Sequence, residues 1–298
     1  MLEVEVAGIK LKNPTILASG ILGTTGASLR RVAMAGAGAV VSKSAGNEAR
    51  VGHRNPTVIE VPQGLLNAVG LSNCGIDEMA GELEIAREAG VPVIASVYGF
   101  SVDDYVRAAG ALDSYADAIE LNLSCPNVER AGNFFGKSPE LAFEAVREVK
   151  RKVKVPVFAK LTAEAGDIAE IAKACEEAKA DAIVAINTIK AMSINIDARR
   201  PVLGNKVGGI SGKCIKSIAV RCVYEIASEV SIPVIGCGGI LTGEDALEFI
   251  MAGAEAVQIG TGVLLRGISV FRKVSLEMKE FMEEREFELE DIRGVALR

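Results

Sequence analysis

The sequence predicts an α/β fold, a (β/α)8 barrel of the TIM type, and three observations support this prediction. Short apolar runs occur eight times along the 298 residues. The runs alternate strictly between two kinds, of which one follows a proline and the other follows a turn of small residues. Segments whose apolar residues are three and four positions apart lie between the runs, and this spacing is typical of amphipathic helices.

The eight runs are predicted to be the barrel strands. Those that follow a proline are residues 13–19, 91–96, 155–160 and 232–238, and those that follow small residues are 37–43, 116–122, 180–187 and 254–260. Runs of this kind are typical of parallel strands buried on both faces. Helical spacing is clearest at 77–89, 139–153 and 166–178. Eight strand–helix units favour a closed barrel. A doubly wound open sheet is the alternative, and it is disfavoured because no Gly-x-Gly-x-x-Gly motif follows a strand.

The chain is longer than the roughly 250 residues that such a barrel needs. Residues 1–12 are predicted to form a β-hairpin that closes the bottom of the barrel. Long connections follow the second, fourth and sixth strands, at 45–75, 123–137 and 188–212. They leave the carboxyl ends of the strands, where barrel active sites are built, and we expect them to be functional loops. Because no linker interrupts the sequence, residues 1–298 are interpreted as a single domain.

Composition disfavours several classes of protein. The chain has 33 basic and 39 acidic residues, and the net charge of −6 argues against binding to nucleic acid or to an anionic membrane. The N-terminus lacks the features of a signal peptide, and no apolar stretch approaches the roughly 18 residues of a membrane span. The cysteines form no Cys-x-x-Cys pair and His53 is the only histidine, so we expect neither a metal site nor disulfides. These features are typical of a cytoplasmic protein.

The strand ends carry polar residues and glycines that the interior of a barrel does not favour: Ser19, Lys43, Ser96, Asn122, Lys160, Asn187, Gly238 and Gly260. Lys43 and Lys160 follow apolar residues and should point towards the barrel axis, where two cations require an anionic partner. Gly238 and Gly239 follow the seventh strand, and Gly260 begins a Gly-Thr-Gly turn after the eighth. Barrels frequently bind phosphate at these two turns. The pattern therefore predicts a phosphorylated ligand.

Cys125 is the candidate catalytic residue. It lies three residues after Asn122, at the start of the connection 123–137, in a polar setting. A thiol there could act as a nucleophile or as a general base. The base is preferred, because a Cys–His nucleophile needs a histidine and His53 belongs to another connection. Three other cysteines lie in helical patterns and are interpreted as small buried side chains: Cys175, Cys214 and Cys222.

Several of these motifs occur together: Ser-Lys-Ser at 42–44, Leu-Asn-Ala-Val-Gly-Leu at 66–71, Asn-Leu-Ser-Cys-Pro-Asn at 122–127, the segment 205–212, and the glycines after the last two strands. Together they closely resemble the dihydroorotate dehydrogenases, from about residue 2 to 265. The cysteine motif is similar to class 1 of that family, because class 2 enzymes use a serine base and carry a membrane-associated N-terminal helix. Residues 67–71 are more similar to the class 1B catalytic subunit than to class 1A.

The resemblance implies FMN-dependent oxidation of dihydroorotate to orotate in de novo pyrimidine biosynthesis. Cys125 would remove the C5 proton while C6 delivers a hydride to flavin N5, and Lys160 would lie beside the pyrimidine edge of the flavin. The implied cofactor-binding residues are Ser19, Lys43, Ser44, Asn122, Lys160, Ile186, Gly212, Gly238, Gly239, Gly260 and Thr261. The implied substrate-binding residues are Lys43, Asn67, Ala68, Val69, Gly70, Leu71, Asn122, Asn127, Asn187 and Thr188.

By the same resemblance, class 1B enzymes pass electrons to a separate subunit that carries FAD and a [2Fe–2S] cluster and reduces NAD⁺. A homodimer core with that subunit would make a heterotetramer. Four alternatives stay open: a class 1A-like homodimer that uses fumarate, a flavin-dependent dihydropyrimidine dehydrogenase, a non-redox isomerase or aldolase with a Schiff base on Lys160, and a non-catalytic binding subunit. Lys190 and Lys213 depart from the family pattern; they could face a partner protein or solvent, and solvent is preferred.

Overall fold

The computed structural model describes residues 2–123 and 135–298, and a closed barrel lies at its centre. In chain order the strands of these residues are β1 (Val4–Val6), β2 (Ile9–Leu11), β3 (Thr15–Leu17), β4 (Ala39–Val41), β5 (Val58–Val61), β6 (Gly64–Asn67), β7 (Val93–Val97), β8 (Ala118–Asn122), β9 (Val157–Leu161), β10 (Ala182–Ala185), β11 (Ile189–Met192), β12 (Ile194–Asn195), β13 (Arg200–Pro201), β14 (Val207–Gly212), β15 (Val234–Cys237) and β16 (Ala254–Ile259).

Eight of these strands form the barrel, and they follow one another around it in sequence order: β3, β4, β7, β8, β9, β10, β15 and β16. Each pairs in parallel with its neighbours, and the sheet closes where Val257 of β16 pairs with Thr15 of β3. Every predicted apolar run overlaps one of these strands. The predicted α/β barrel is therefore confirmed.

Helices cover the outside of the barrel. In chain order they are α1 (Gly26–Met34), α2 (Ile76–Arg87), α3 (Val102–Leu112), α4 (Pro139–Lys152), α5 (Ile168–Glu177), α6 (Lys216–Ala227), α7 (Gly243–Met251), α8 (Gly262–Arg266), α9 (Val270–Arg285) and α10 (Leu289–Ile292). Several begin at a side-chain cap, as at Ser101, Ser138 and Thr242, whose hydroxyls accept a backbone N–H three residues on. The three helices predicted from spacing begin and end within two residues of α2, α4 and α5.

The N-terminal hairpin is also present, with β1 and β2 antiparallel and Val4 paired with Leu11. The side chains of Val4, Val6 and Leu11 are buried and belong to the main core. That core is built from aliphatic side chains of the strands and of the inner helix faces, for example Leu17, Val40 and Val257. Among the described residues, no helix is long and apolar enough to cross a membrane.

Two of the long connections contain strands, which the sequence analysis did not predict. The strands β5 and β6 lie within 45–75, β11 and β14 lie within 188–212, and the four form an antiparallel sheet in the order β11-β14-β6-β5. The sequence of β14, Val-Gly-Gly-Ile-Ser-Gly, shows little apolar alternation, so its pairing is not visible locally. Glycine is required at Gly208, where a Cβ would lie 2.2 Å from the carbonyl oxygen of Asn67. The sheet brings both connections together beside the mouth of the barrel.

Candidate active site

A cavity of about 720 Å³ lies at the carboxyl ends of the barrel strands, within the size range of cofactor and substrate sites. All the described candidate residues line it: Ser19, Lys43, Ser44, Asn67, Ala68, Val69, Gly70, Leu71, Asn122, Lys160, Ile186, Asn187, Thr188, Gly212, Gly238, Gly239, Gly260 and Thr261. Cys125 and Asn127 lie outside the described residues. The structure thus places candidates from the ends of seven barrel strands and from the antiparallel sheet around one space.

Glycines form one part of the lining. Gly238 and Gly239 have φ angles of +138° and +77°, and Gly212, at the end of β14, has a φ of +107°. These backbone conformations favour glycine. A Cβ at Gly212 would lie 2.6 Å from the Cα of Gly64. Thr261, which follows Gly260, donates its hydroxyl to the Ser211 hydroxyl over 2.8 Å. The backbone can therefore approach a ligand closely along this rim.

Lys160 lies inside the barrel in a network with Glu120 and Gln258. Its Nζ donates to Gln258 Oε1 over 2.6 Å and lies 3.4 Å from Glu120 Oε1, while Gln258 Nε2 donates to Glu120 Oε2 over 2.6 Å. Burial by itself lowers the pKa of the Lys160 ammonium, but the neighbouring Glu120 carboxylate outweighs burial and holds this pKa above its ordinary value. Lys160 is thus a buried cation. Glu120 supplies at least part of the negative charge that Lys160 requires, so a bound ligand is not the only anionic partner.

A chain of hydroxyls and carboxamides crosses the mouth of the barrel. The Ser44 hydroxyl lies 3.2 Å from that of Ser19 and 2.9 Å from that of Ser96. Asn122 Nδ2 donates to Ser44 Oγ over 3.3 Å, and Asn187 Nδ2 donates to Asn122 Oδ1 over 3.1 Å. These bonds fix the orientation of the two carboxamides, which can offer both donors and acceptors to a planar ligand.

The segment 67–71 continues from β6 into the cavity wall. Asn67 Nδ2 donates to the Gly209 carbonyl over 3.0 Å, which ties the segment to β14. Gly70 and Leu71 have φ angles of +74° and +58°. The left-handed conformation is uncommon for a residue such as leucine. The turn is therefore held in place by its surroundings.

Comparison with known proteins identifies the chain. A family model described as dihydroorotate dehydrogenase matches residues 1–282. This chain belongs to the dihydroorotate dehydrogenase family. Members of this family are oxidoreductases, and so is this chain. Membership favours redox chemistry over the isomerase or aldolase interpretation, and the ion pair of Lys160 with Glu120 agrees with that choice.

Full-length relatives share the name "Dihydroorotate dehydrogenase B (NAD(+)), catalytic subunit". The protein of Thermoplasma acidophilum is 50% identical over 299 residues, which cover 100% of this chain and 99% of the relative. That of Methanocella arvoryzae is 49% identical over 291 residues, 98% of this chain and 96% of the relative. That of Methanocaldococcus jannaschii is 47% identical over 300 residues, which cover 99% of this chain and 98% of the relative. The predicted resemblance to class 1B is confirmed.

Sequence reasoning missed Glu120 and Gln258 as parts of the site. Both interrupt otherwise apolar strands, and both side chains are buried. Since a buried polar group needs a partner, a single polar residue inside an apolar run could have indicated a pair. Cys237, at the end of β15, also lines the cavity, and burial raises the pKa of its thiol.

Lys190 is exposed, as expected, whereas Lys213 and Cys214 differ from what the sequence predicts. Lys213 does not simply face solvent, because it pairs with the buried carboxylate of Asp245, which also lies 3.1 Å from the Nζ of Lys216. Burial acts to raise the pKa of the Asp245 carboxyl, but the hydrogen bonds from Lys213, Leu241 and Lys216 outweigh it and lower this pKa. Cys214 is exposed rather than buried, because it lies in a short 3₁₀ segment before α6.

Proposed function

We propose that this chain uses FMN to oxidise dihydroorotate to orotate, as the catalytic subunit of a class 1B enzyme in de novo pyrimidine biosynthesis. One observation carries the proposal: the same cavity is lined by a glycine rim, by the two strand-end lysines Lys43 and Lys160, and by several carboxamides. Family membership and the names of the full-length relatives support the same reaction.

The residues of the glycine rim fit the phosphate of FMN. A Cβ at Gly239 would lie 2.7 Å from Lys216 Cβ and 2.9 Å from the Gly212 carbonyl oxygen, so the backbone packs too closely here for any residue with a side chain. Backbone N–H groups and the Thr261 hydroxyl are suitable donors for phosphate oxygens. We assign the phosphate to Gly212, Gly238, Gly239, Gly260 and Thr261, and the rest of FMN to Ser19, Lys43, Ser44, Asn122, Lys160 and Ile186. When bound, FMN supplies an acceptor for the hydride from C6 of dihydroorotate.

Lys43 and the carboxamides that line the same cavity fit a planar pyrimidine that carries a carboxylate. Lys43 is assigned to the carboxylate, as an ammonium group pairs with an anion. Asn67, Asn122 and Asn187 are assigned to the ring, because each carboxamide offers a donor and an acceptor to an imide edge. Thr188, the backbone of 68–71 and, outside the described residues, Asn127 complete the proposed substrate site.

Cys125 is proposed as the general base. It lies outside the described residues, three positions along the chain from Asn122, which lines the cavity. The thiolate would take the proton from C5 of dihydroorotate while the hydrogen on C6 leaves with its electron pair, and the C5=C6 double bond of orotate forms. Because the thiolate is the active form, the rate should rise with pH as the thiol ionises.

The relatives are named as catalytic subunits of NAD(+)-linked enzymes, and this supports a partner subunit for the chain. We propose that the partner carries FAD and a [2Fe–2S] cluster and that two copies of each subunit form a heterotetramer around a homodimer of this chain. The cytoplasmic location and the single-domain organisation of residues 1–298 stay predictions from the sequence.

Anaerobic mixing of the purified, FMN-loaded chain with dihydroorotate tests the proposed function. We expect dihydroorotate to bleach the visible flavin absorbance, and dihydrouracil, which lacks the carboxylate, to leave it unchanged. Bleaching by dihydrouracil alone would favour the dihydropyrimidine dehydrogenase alternative. A chain that fails to bind FMN, or whose flavin stays oxidised with dihydroorotate, would contradict the proposal.

A further inference from the structure

We propose that Asn73 is a positioning residue for the substrate, which holds the segment 67–71 in the shape that binds orotate. The inference rests on the proposed function, because that function makes 67–71 a substrate site. Asn73 itself is absent from the cavity lining and is only 8% exposed. It therefore acts through the residues that it contacts.

The carboxamide of Asn73 uses its full hydrogen-bonding capacity. Nδ2 donates to the Leu71 carbonyl over 2.8 Å and to the Tyr98 hydroxyl over 3.0 Å. Oδ1 accepts the N–H of Gly46 over 3.2 Å and the N–H of Gly75 over 2.8 Å. One buried side chain thus joins three parts of the chain near the barrel mouth.

The first of these parts is the turn that ends the substrate segment. Leu71 has a left-handed backbone with a φ of +58° directly after Gly70 with a φ of +74°. Such a conformation persists in a residue with a Cβ only where neighbouring groups hold it. The bond from Asn73 Nδ2 ends on the carbonyl of Leu71 itself. This hydrogen bond therefore stabilises the left-handed conformation of Leu71 directly.

The second part is the chain that follows Lys43. Gly46 is three residues after Lys43 and two after Ser44, both of which line the cavity. Asn73 Oδ1 accepts the Gly46 N–H, so the same side chain fixes the distance between the segment 67–71 and the lysine assigned to the carboxylate. Loss of Asn73 donors should misplace one side of the orotate site relative to the other.

The backbone around Asn73 is held from outside the site as well. Asn73 and Arg50 exchange two backbone hydrogen bonds of 2.9 and 3.0 Å, and the His53 N–H donates to the Val69 carbonyl over 3.1 Å. These bonds do not involve the Asn73 side chain. A change confined to its amide nitrogen should leave them in place and remove the hydrogen bonds donated to Leu71 and Tyr98.

Asn73→Asp is the sharpest test, because aspartate keeps the size of the side chain and the acceptors for Gly46 and Gly75 but has no N–H to donate to Leu71. Asn13→Asp is a matched control. Asn13 is also 8% exposed, and its Nδ2 donates to the Gly36 carbonyl over 2.9 Å while its Oδ1 accepts the Thr15 N–H over 3.0 Å. It precedes β3, at the end of the barrel opposite the cavity.

The measurements are made on the FMN-loaded chain: orotate Kd by calorimetry, KM and kcat for dihydroorotate, FMN content and Tm. For Asn73→Asp we expect the orotate Kd and the KM to rise about tenfold or more, as the loss of the buried hydrogen bonds donated by Nδ2 predicts, with FMN content unchanged. For Asn13→Asp we expect a lower Tm and an orotate Kd within about twofold of wild type.

An orotate Kd that is unchanged in Asn73→Asp overturns the inference, and so does an equal rise in both variants, which would reflect general loss of stability. If Asn73→Asp does not fold, Asn73→Ala removes the hydrogen bond to Leu71 without burying a charge, and an unchanged orotate Kd in that variant also overturns the inference. Wild-type chain that binds no orotate overturns the proposed function itself, which distinguishes the two failures.

Discussion

Lys160 and Glu120 form an ion pair inside the barrel, with 3.4 Å between Nζ and Oε1 and side chains that are 5% and 0% exposed. Gln258 completes the arrangement with one hydrogen bond to each partner. Removing two charges from water is costly, and such a pair is tolerated only where each member compensates the other. Lys160 also lines the proposed flavin site, so removal of either partner should affect both the stability of the barrel and the charge of the site.

We expect Lys160→Met to lower the free energy of unfolding by about 3–5 kcal/mol, because the carboxylate of Glu120 would stay buried without its partner. Urea unfolding measures the change. The double variant Lys160→Met, Glu120→Gln should lose less than the two single variants together. Arg221→Met, which breaks the exposed pair between Arg221 and Glu225 on α6, is the control and should cost no more than about 0.5 kcal/mol. Equal losses in Lys160→Met and Arg221→Met would contradict this interpretation.

Asp245→Asn should lower the free energy of unfolding by about 1–2 kcal/mol near neutral pH, because it weakens the α7 capping box and the contacts with Lys213 and Lys216. The folded-state pKa of Asp245 is lowered. Its contribution is therefore fully present above the unfolded carboxyl pKa of about 4 and is lost as pH falls through the folded value. The difference between wild type and variant, measured by urea unfolding across pH, should shrink below about pH 4.

The control for this experiment is Asp104→Asn. Asp104 holds the same position in the α3 capping box, where it accepts backbone N–H groups and the Asn47 amide. The Asp104→Asn variant should lose the stability that the capping box provides, but it has no lysine partners among the described residues to lose. A difference in the free energy of unfolding between wild type and Asp245→Asn that widens as the pH falls would contradict the predicted pH dependence.

Gly212→Ala should weaken FMN binding about tenfold or more, because the new Cβ would lie 2.6 Å from Gly64 Cα and 2.8 Å from the Gln63 carbonyl oxygen and would displace the rim. FMN content after dialysis and the FMN Kd measure the effect. Gly8→Ala is the control: Gly8 also has a left-handed φ of +82°, but no atom lies within 4 Å of its Cβ position. FMN affinity that is retained in Gly212→Ala would remove this glycine from the phosphate site.

Cys125→Ser should bind FMN and orotate normally and lose about 100-fold or more of its turnover near neutral pH, because serine is a much weaker base than a thiolate. Stopped-flow reduction by dihydroorotate measures the step directly, and its rate in wild type should rise with pH. Cys214→Ser makes the same atomic change at an exposed cysteine outside the cavity lining. It should leave the rate unchanged. Wild-type turnover in Cys125→Ser would exclude the cysteine as the base.

Lys43→Ala should weaken orotate binding much more than uracil binding, since only orotate carries the carboxylate assigned to this lysine. We expect a rise of about tenfold or more in the orotate Kd, as calorimetry would measure it. Lys10→Ala, at an exposed position of β2, should change neither affinity. Equal losses for orotate and uracil would show that Lys43 contacts something other than the carboxylate.

Local patterns were sufficient for most of the fold and for much of the candidate site. Each apolar run that begins after a proline or a small-residue turn became a barrel strand, and the polar residues at the strand ends were brought to one rim by parallel pairing. The four-stranded sheet was not predicted, because β14 and β6 are far apart in the chain and no local period marks their pairing. Asn67 and Gly209, for example, pair across 142 positions.

The sequence by itself determined the number and order of the barrel strands and where glycines and carboxamides would lie, because burial and backbone conformation act over a few neighbouring residues. Only the tertiary structure decided which charges meet. Lys160 pairs with Glu120, 40 positions away, and Gln258 reaches Glu120 across 138 positions. Asp245 gains Lys213, and Asn73 gains Gly46 and Tyr98, by the same folding of distant segments. Pairing energies of this kind depend on distances in space, which the order of residues does not contain.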